Sequence, residues 1–242
     1  NKNSIEEIDK ISKNKIINSY DFILGPFIPR NINRLSFNLK SSKVPIVSPL
    51  TSKKIEINNN VFQSIPSVQS QRELMFIHVD SLITKDPDPC VMIIYNSSTK
   101  KVKDELLKRF PYAELIDTDL TMGLVDPEIT DSLLVEQKNN LVFLESQNLN
   151  VITSVSSLLN SQISKERSIN LLSTYRSETY ENENISYEHL GNLKFTYPSY
   201  FFPKYGGELS ELNKLFIENF GKLPNKIALR GYEITLDLIL RT

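Results

Sequence analysis

Cysteine, histidine, glycine and tryptophan are scarce in this chain of 242 residues, which has one cysteine, two histidines, seven glycines and no tryptophan. A single cysteine, Cys90, cannot form an internal disulfide, and it excludes every metal site built from several cysteines. The two histidines, His78 and His189, lie far apart and lack the spacing of zinc ligands. The composition therefore favours no metal and no cofactor.

The glycine-containing motifs of common enzymes are also missing. The chain has no Gly-x-Ser-x-Gly elbow, no Walker loop and no Gly-x-Gly-x-x-Gly fingerprint. Two groups of carboxylates, Asp117 with Asp119 and Glu178 with Glu181 and Glu183, fall in segments that we predict to be solvated loops. We therefore expect a protein that is not an enzyme.

Neither an excess of charge nor a long apolar run is present. Lysine and arginine total 28 against 29 acidic residues, so the formal net charge is −1. This balance gives no reason to expect nucleic acid or an anionic membrane as a partner. No apolar run approaches the roughly 20 residues of a membrane-spanning helix. The chain opens on no signal-peptide pattern, but a mature fragment would lack one, so a cytoplasmic location does not follow.

Short apolar segments that alternate with amphipathic ones are what the sequence does contain. Apolar runs of strand length, several ended by Gly or Pro, predict eight strands at 20–24, 44–47, 61–65, 90–95, 113–116, 141–144, 169–175 and 193–197. Helical spacing predicts helices at 4–18, 29–39, 67–83, 100–110, 126–135, 150–163, 208–220 and 226–240. The alternation predicts an α/β protein whose sheets are mostly parallel and doubly wound.

A turn with two prolines, Asp86-Pro87-Asp88-Pro89, is the best candidate for a hinge. The strand–helix pattern before it resembles the pattern after it, which predicts two lobes. We assign residues 1–86 plus 225–242 to the first lobe and 87–224 to the second. Because Cys90 begins an apolar strand of the second lobe, we expect its thiol to be buried.

Polar and aromatic residues follow the predicted strands. Candidate ligand-binding residues in these clusters are Ser48, Thr51, Tyr95, Ser97, Ser98, Glu145 and Tyr175. Open α/β sheets bind ligands beyond the carboxyl ends of their strands, and hydroxyls with backbone amides suit a carboxylate. The same residue types also cap helices and form turns, so each cluster alone has a purely structural alternative.

Several short segments resemble those of a known family. They are the runs 21–26 (Asp-Phe-Ile-Leu-Gly-Pro), 44–49 (Val-Pro-Ile-Val-Ser-Pro) and 61–67 (Val-Phe-Gln-Ser-Ile-Pro-Ser) with Gln71, followed near the end by 216–220, Pro224 and Gly231-Tyr232-Glu233. In order and spacing these segments resemble the type I periplasmic binding proteins, and most of all the branched-chain amino-acid-binding kind.

The resemblance implies a two-lobed fold that closes on a small polar ligand, such as an amino acid or a peptide-like molecule. It implies a bacterial, extracytoplasmic protein similar to the substrate-binding components of ABC transporters. Ser48 and Thr51 would then hold the ligand carboxylate, Tyr95, Ser97 and Ser98 would face them from the second lobe, and Glu145 or Tyr175 would meet the ligand amino group.

Three departures from the family pattern stand beside the resemblance. The strand–helix–strand unit with which the family begins is not visible before residue 20. The serine that usually follows the Gly-Pro turn is replaced by Phe27-Ile28-Pro29-Arg30, where Arg30 offers bidentate pairing with a carboxylate instead. Ser97-Ser98-Thr99 stands where the family often has Tyr-Gly.

These departures keep a second hypothesis open. The chain can be a degenerate binding-protein fold that serves as an interaction domain or a regulatory domain of the cell envelope, with a protein or peptidoglycan partner. Some relatives in the family carry peptidoglycan-binding LysM repeats, although no such repeat is visible here. A third hypothesis, an α/β enzyme, lacks every motif that it would need.

Overall fold

Parallel strands alternate with helices through residues 4–56, 58–121, 124–200 and 210–241, the part of the chain that this computed structural model describes. The strands are β1 (Ile23–Leu24), β2 (Ile46–Ser48), β3 (Val61–Gln63), β4 (Cys90–Tyr95), β5 (Glu114–Asp117), β6 (Asn139–Glu145) and β7 (Ser168–Leu172). The helices are α1 (Ile5–Ser12), α2 (Pro29–Asn38), α3 (Val68–Lys85), α4 (Lys100–Arg109), α5 (Pro127–Leu133), α6 (Leu149–Ser161), α7 (Tyr187–Asn192), α8 (Glu211–Phe220) and α9 (Lys226–Arg241). Every strand pairing among them is parallel, which confirms the predicted α/β class.

The chain divides into two compact units, of which the first comprises residues 1–69 and 200–242 and the second residues 70–199. Ile46 and Ile93 lie in separate sheets, as two lobes require. The lobe limits drawn from the sequence, 1–86 plus 225–242 and 87–224, remain a prediction.

The first unit is built on a small sheet of three strands in the order β1-β2-β3. Ile46 lies opposite Ile23 on one side and Val61 on the other. The buried side chains gather with α1 and α2 in one cluster, which includes Ile8, Ile32, Leu35 and Leu39. Asp9 of α1 ties the two helices together through Arg34 and Asn38.

The second unit has a sheet of four strands in the order β5-β4-β6-β7, and its central strands β4 and β6 are buried on both faces. Alternate residues of β4 and β6 point to opposite sides. Met92, Ile94, Val142 and Leu144 pack with α6 and α7, whereas Val91, Ile93, Leu141 and Phe143 pack with α3 and α4. Burial on both faces explains why these strands are continuous apolar runs in the sequence.

Several sequence predictions need correction. The strand predicted at 193–197 is a single parallel bridge between Leu172 and Thr196, because Lys194 has a φ of 50°, outside the extended range. The helix predicted at 4–18 ends at Ser12, and a short 3-10 helix capped by the Asn14 side chain follows it. The segment predicted as a loop around 178–188 contains a 3-10 turn and the start of α7.

Two helix ends have defined caps, and part of one predicted helix lies outside the described residues. Ser4 caps α1 by accepting a hydrogen bond from the amide of Glu7 at 3.2 Å. Gly221 ends α8 in the left-handed conformation, with a φ of 68°. The helix predicted to begin at residue 208 is observed from Glu211, and residues 208 and 209 are not among those described.

Candidate functional site

The carboxyl edge of the four-stranded sheet collects buried polar side chains. Because all four strands are parallel, the residues after their last positions meet at one edge. Five of these side chains are buried, namely Asn96 after β4, Thr118 after β5, Ser146 after β6, and Ser173 and Thr174 after β7. Buried polar groups need hydrogen-bond partners, so this edge has a defined geometry.

Glu145, the last residue of β6, is the central member of this edge. The residue is 4% exposed, and its carboxylate accepts a hydrogen bond from the amide of Thr174 at 2.7 Å and from the Thr174 hydroxyl at 3.0 Å. Burial raises the pKa of Glu145 to about 7, although the Thr174 bonds and the charge of Arg72 act in the opposite direction. The carboxyl group therefore changes its charge near neutral pH.

A hydrogen-bonded turn joins the end of β4 to the end of β6. The Asn96 side chain donates to the Ser146 hydroxyl at 3.1 Å and accepts from the amide of Ser98 at 3.1 Å and from its hydroxyl at 2.6 Å. The Thr99 hydroxyl donates to the carbonyl of Glu145 at 2.7 Å. The turn at 96–99 is thus held directly beside Glu145.

An aromatic stack lies beyond β7. The ring of Tyr180, which is fully buried, stacks on Phe195 at 4.8 Å, and Phe195 contacts Tyr197 at 5.1 Å between ring centroids. The Arg176 guanidinium lies 5.0 Å from the centroid of the Tyr197 ring. Burial, and next the charge of Glu145, raise the pKa of Tyr180, so its hydroxyl stays neutral. Flat apolar walls therefore accompany the carboxylate of Glu145.

The other predicted residues of the second unit are more exposed. Tyr95 is half-buried, with the Lys103 ammonium 5.4 Å from its ring centroid, and burial and Asp117 raise the pKa of its hydroxyl. Ser97 and Ser98 are exposed, and the Ser97 amide donates to Asp119 at 2.6 Å. Tyr175 is half-buried. The structure brings Tyr95, Ser97, Ser98 and Glu145 to one edge of the sheet.

The carboxyl edge of the first sheet holds the remaining candidates. Ser48 is fully buried, and among the described residues its hydroxyl has no hydrogen-bond partner. Thr51 is 9% exposed, and its hydroxyl accepts from the amide of Lys53 at 3.1 Å. Arg30 is exposed in the first turn of α2. Ser48 therefore ends β2 with its hydroxyl enclosed, and Thr51 lies in the loop that follows.

The residues that the sequence prediction missed are Asn96, Ser146, Thr174 and Tyr180. Thr174 was assigned to the strand predicted at 169–175, but β7 ends at Leu172, so Thr174 is free to fold back onto Glu145. Asn96 and Ser146 belong to the polar runs that follow β4 and β6, and those runs were the available signal. Tyr180 carried no signal, because its segment reads as an acidic loop.

A cavity of about 700 Å³ lies elsewhere in the first unit. Its floor is the face of β2 and β3 that carries Val47 and Phe62, and its wall is the side of α9 that carries Arg230, Ile234 and Leu238. Phe62 is 56% exposed. The cavity is mostly apolar and does not include Ser48 or Thr51.

The described residues contain no group of three or more His, Cys, Asp or Glu side chains that could hold a metal ion. Cys90 is half-buried and not buried as the sequence suggested, because it begins β4 at the open amino edge of the sheet. Partial burial raises the pKa of its thiol. No helix in the described part of the chain combines the length and apolar character needed to cross a membrane.

Comparison with known proteins finds no matching family and no matching curated protein. Among solved structures, the leucine-binding protein LivK from Thermotoga maritima is 10% identical over 97% of this chain and 67% of its own, with a TM-score of 0.39. The branched-chain amino-acid transporter substrate-binding protein LivJ from Streptococcus pneumoniae, in complex with isoleucine, is 12% identical over 96% of this chain and 67% of its own, with a TM-score of 0.37. At such low identities and TM-scores these similarities do not identify the ligand of this chain.

Proposed function

We propose that this protein is an extracytoplasmic, solute-binding module of the periplasmic or cell-envelope compartment, and that its ligand is a small polar molecule with an amino group. The observation that carries the proposal is the carboxylate of Glu145 at the carboxyl edge of the second sheet. A carboxylate has about four acceptor positions. Thr174 occupies two of them in the structure.

An ammonium group is the ligand chemistry that this carboxylate favours. A buried, ionised carboxylate is costly unless it is paired, and burial is the main cause of the raised pKa of Glu145. A ligand ammonium would offset that cost, and the half-buried rings of Phe195 and Tyr197, which stack beyond Tyr180, would pack against an apolar part. An amino acid or a peptide-like molecule combines these features, and it is the class implied by the sequence resemblance.

The ligand carboxylate is assigned by resemblance to the first unit. Ser48 is the last residue of β2 and Thr51 lies in the loop after it, where the family binds that group. The hydroxyl of Ser48 makes no hydrogen bond to any described residue, so it can donate one to a ligand. Arg30 is exposed and charged in the first turn of α2, where it can add a guanidinium to this edge.

A second function, that of an interaction domain, is favoured by a different observation. Phe27 follows the Gly25-Pro26 turn, the place where the family usually has a ligand-binding serine, and it is 62% exposed. An exposed aromatic ring is better suited to contact a protein or peptidoglycan surface than to bind the carboxylate of an amino acid. On this hypothesis the fold regulates or anchors a cell-envelope partner and binds no solute.

A thermal-denaturation screen separates the two functions. The chain is heated with a panel of amino acids and dipeptides, and with matched acids and amines that carry only one of the two groups. A ligand at about 100 times its Kd stabilises the protein by about 2.7 kcal/mol. We expect stabilisation only by compounds with an amino group. If no compound at millimolar concentration raises the midpoint, the solute-binding proposal is wrong and the interaction domain replaces it.

The variant Glu145→Gln tests the role of the carboxylate, and Glu114→Gln is its matched control. Glu114 is an exposed carboxylate on β5 of the same sheet. We expect Glu145→Gln to weaken binding of the amino compound at least tenfold and Glu114→Gln to leave it unchanged. Equal effects of the two variants would remove Glu145 from the site.

The pH dependence of affinity gives an independent check. Only the ionised carboxylate attracts an ammonium, and the pKa of Glu145 is about 7. The affinity should rise about tenfold per pH unit below that pKa and level off above it, because each unit changes the ionised fraction about tenfold. A constant affinity between about pH 5 and 8 would contradict the proposed pairing.

A further inference from the structure

The cavity of about 700 Å³ in the first unit has the size and lining of a small-molecule site. Ligand pockets measure roughly 300–1,000 Å³ and combine mainly apolar walls with a few polar groups. Val47 and Phe62 form the floor here, and Pro45, Ile234 and Leu238 complete the apolar lining. The cavity therefore suits a ligand whose larger part is apolar.

The floor of the cavity is apolar surface that the described residues leave largely uncovered. Phe62 lies in the middle of β3, opposite Val47 of β2, and yet its side chain is 56% exposed. On the other face of the same sheet, Ile46 is fully buried among the side chains of α1 and α2. Removing apolar surface from water is favourable, so an apolar ligand tail would gain free energy by covering Phe62.

The charged groups of the lining indicate the sign of the ligand. The side chains of Glu233, Asp237 and Arg241 are each more than half exposed, so water already solvates their charges. The side chain of Arg230 is only 20% exposed, which makes it the most deeply placed charge of the described lining. A charge withdrawn from water is costly unless it is paired. The deepest charge is a cation, so the ligand that fits it is an anion.

The guanidinium of Arg230 is incompletely paired among the described residues. Its Nη2 atom donates to the carbonyl of Ser64. Its Nη1 atom lies 3.8 Å from the carboxylate of Glu233, which is beyond hydrogen-bond distance. Its Nε atom is buried and has no hydrogen-bond partner among the described residues. A carboxylate in the cavity would accept from Nη1 and supply the close ion pair that Glu233 does not.

We propose that the first unit binds a carboxylate with an apolar tail, of the fatty-acid type, in this cavity. The carboxylate pairs with Arg230, and the tail lies along Val47, Phe62 and Leu238. The charges are the reverse of those at Glu145, where a carboxylate of the protein meets a ligand ammonium. The inference does not depend on the proposed function, because no residue of that site is among the described lining of the cavity.

Isothermal titration calorimetry of the whole chain tests the proposal with octanoate and three matched compounds, namely octanol, octylamine and acetate. Titration to about 10 mM reaches even weak binding. Octanoate should bind at one site and octanol at least about tenfold more weakly, because the alcohol lacks a hydrogen bond to a charged group. Acetate and octylamine should not bind detectably. Absence of octanoate binding, equal binding of octanol, or preference for octylamine would each overturn the proposal.

The variant Leu238→Trp places the ligand in the cavity or excludes it from there. Its matched control is Leu236→Trp, because Leu236 lies on the same helix, is 40% exposed and is not part of the described lining. The larger ring at 238 should fill the space of the tail and weaken octanoate binding at least about tenfold. The control should bind octanoate as the natural chain does. Equal affinities of the two variants would overturn the proposal.

The variant Arg230→Met tests the charge separately from the shape, because it keeps an unbranched side chain and removes the guanidinium. We expect its affinity for octanoate to fall to that for octanol, with octanol binding unchanged. If both compounds lose affinity alike, Arg230 only holds α9 in place and the proposal fails. Circular dichroism checks that the variant folds. If it does not fold, the four compounds and the two tryptophan variants still decide.

Discussion

The two units reach stability by different means. The second unit has a sheet of four strands with four to seven residues each, and helices cover both of its faces. The first unit has three strands of two or three residues, one apolar cluster on one face, and a cavity on the other. Parallel sheets are normally buried on both faces. The comparison indicates that the second unit is held by a core on both faces of its sheet, whereas the sheet of the first unit is fully covered on one face only.

Truncating one buried isoleucine in each sheet should give the largest difference in lost stability between the two units. Ile93 lies in the middle of β4 and Ile46 at the start of β2. Both strands are central in their sheets, and both side chains are fully buried. We expect Ile93→Ala to lower the free energy of unfolding by about 4–5 kcal/mol and Ile46→Ala by about 2–3 kcal/mol, because the looser first unit can relax around the void. Urea denaturation measures both values, and equal losses would break the comparison.

The carboxyl group of Glu145 should make the second unit sensitive to pH. Its pKa of about 7 in the folded chain is above the ordinary value of 4.5, so the folded state holds the proton more tightly than the unfolded state. Stability should therefore fall as pH rises from about 4.5 to 7, by at most about 3 kcal/mol.

The substitution Glu145→Gln removes this dependence. The variant should be more stable than the natural chain at pH 8, and its advantage should disappear near pH 4.5. Stability curves at several pH values measure the effect. An advantage that persists unchanged at low pH would show that burial of the charge is not its cause.

Two buried asparagines form the next pair. The Asn140 side chain accepts from the amide of Val135 and donates to the carbonyls of Val135, Lys138 and Ser168. We expect Asn140→Ala to lower the free energy of unfolding by about 2–3 kcal/mol, because several buried polar groups lose their hydrogen-bond partner at once.

Asn60 in the first unit is the counterpart. Its side chain donates to the carbonyl of Leu39 at 3.1 Å, and its own oxygen has no partner among the described residues. Asn60→Ala should cost about 1 kcal/mol or less, since one neutral hydrogen bond is lost. Urea denaturation measures the free energy of unfolding of both variants, and a larger loss for Asn60→Ala than for Asn140→Ala would contradict the expected order.

The stability lost on removing a surface ion pair should differ least between the two units. The carboxylate of Asp9 accepts from Arg34 at 2.6 and 2.8 Å, and these bonds, with that from Asn38, lower its pKa to about 2. The stabilisation is present above the ordinary pKa of 3.8 and is lost as pH falls toward 2.

Asp9→Asn should therefore cause a small loss at neutral pH and none at pH 2. Asp131→Asn, which removes the partner of Arg167 in the second unit, should also cause a small loss at neutral pH. Thermal midpoints compare the two variants at neutral pH and Asp9→Asn also at pH 2, and a large loss for either variant would show that its pair is more than a surface contact.

The accuracy of the sequence analysis follows the same division. In the second unit, strand β4 was predicted at 90–95 and is observed from Cys90 to Tyr95, because its apolar run is long and is buried on both faces. In the first unit, the strand predicted at 20–24 is observed only from Ile23 to Leu24. An apolar run indicates burial, but it does not indicate how many of its residues find a neighbour to pair with.

The candidate site was predictable to a similar degree. Glu145, Tyr95, Ser97 and Ser98 were predicted because they end or directly follow apolar strands, and the structure places them at one edge of the second sheet. The contact between Glu145 and Thr174 joins residues 29 positions apart, and it depends on where β7 ends. No local pattern contains that information. The burial of Ser48 is also a tertiary property, since a serine after a strand is as often an exposed turn residue.

The first unit is assembled from both ends of the chain, and this has a consequence for folding during synthesis. Arg230 of α9 bonds to the carbonyl of Ser64 across 166 positions. The second unit lies entirely between these residues, so its chain is synthesised before α9. Domains generally fold as units during synthesis, and closing a long loop costs conformational entropy. We therefore expect the second unit to fold first and the sheet of the first unit to wait, with Val47 and Phe62 uncovered, until the last helix arrives.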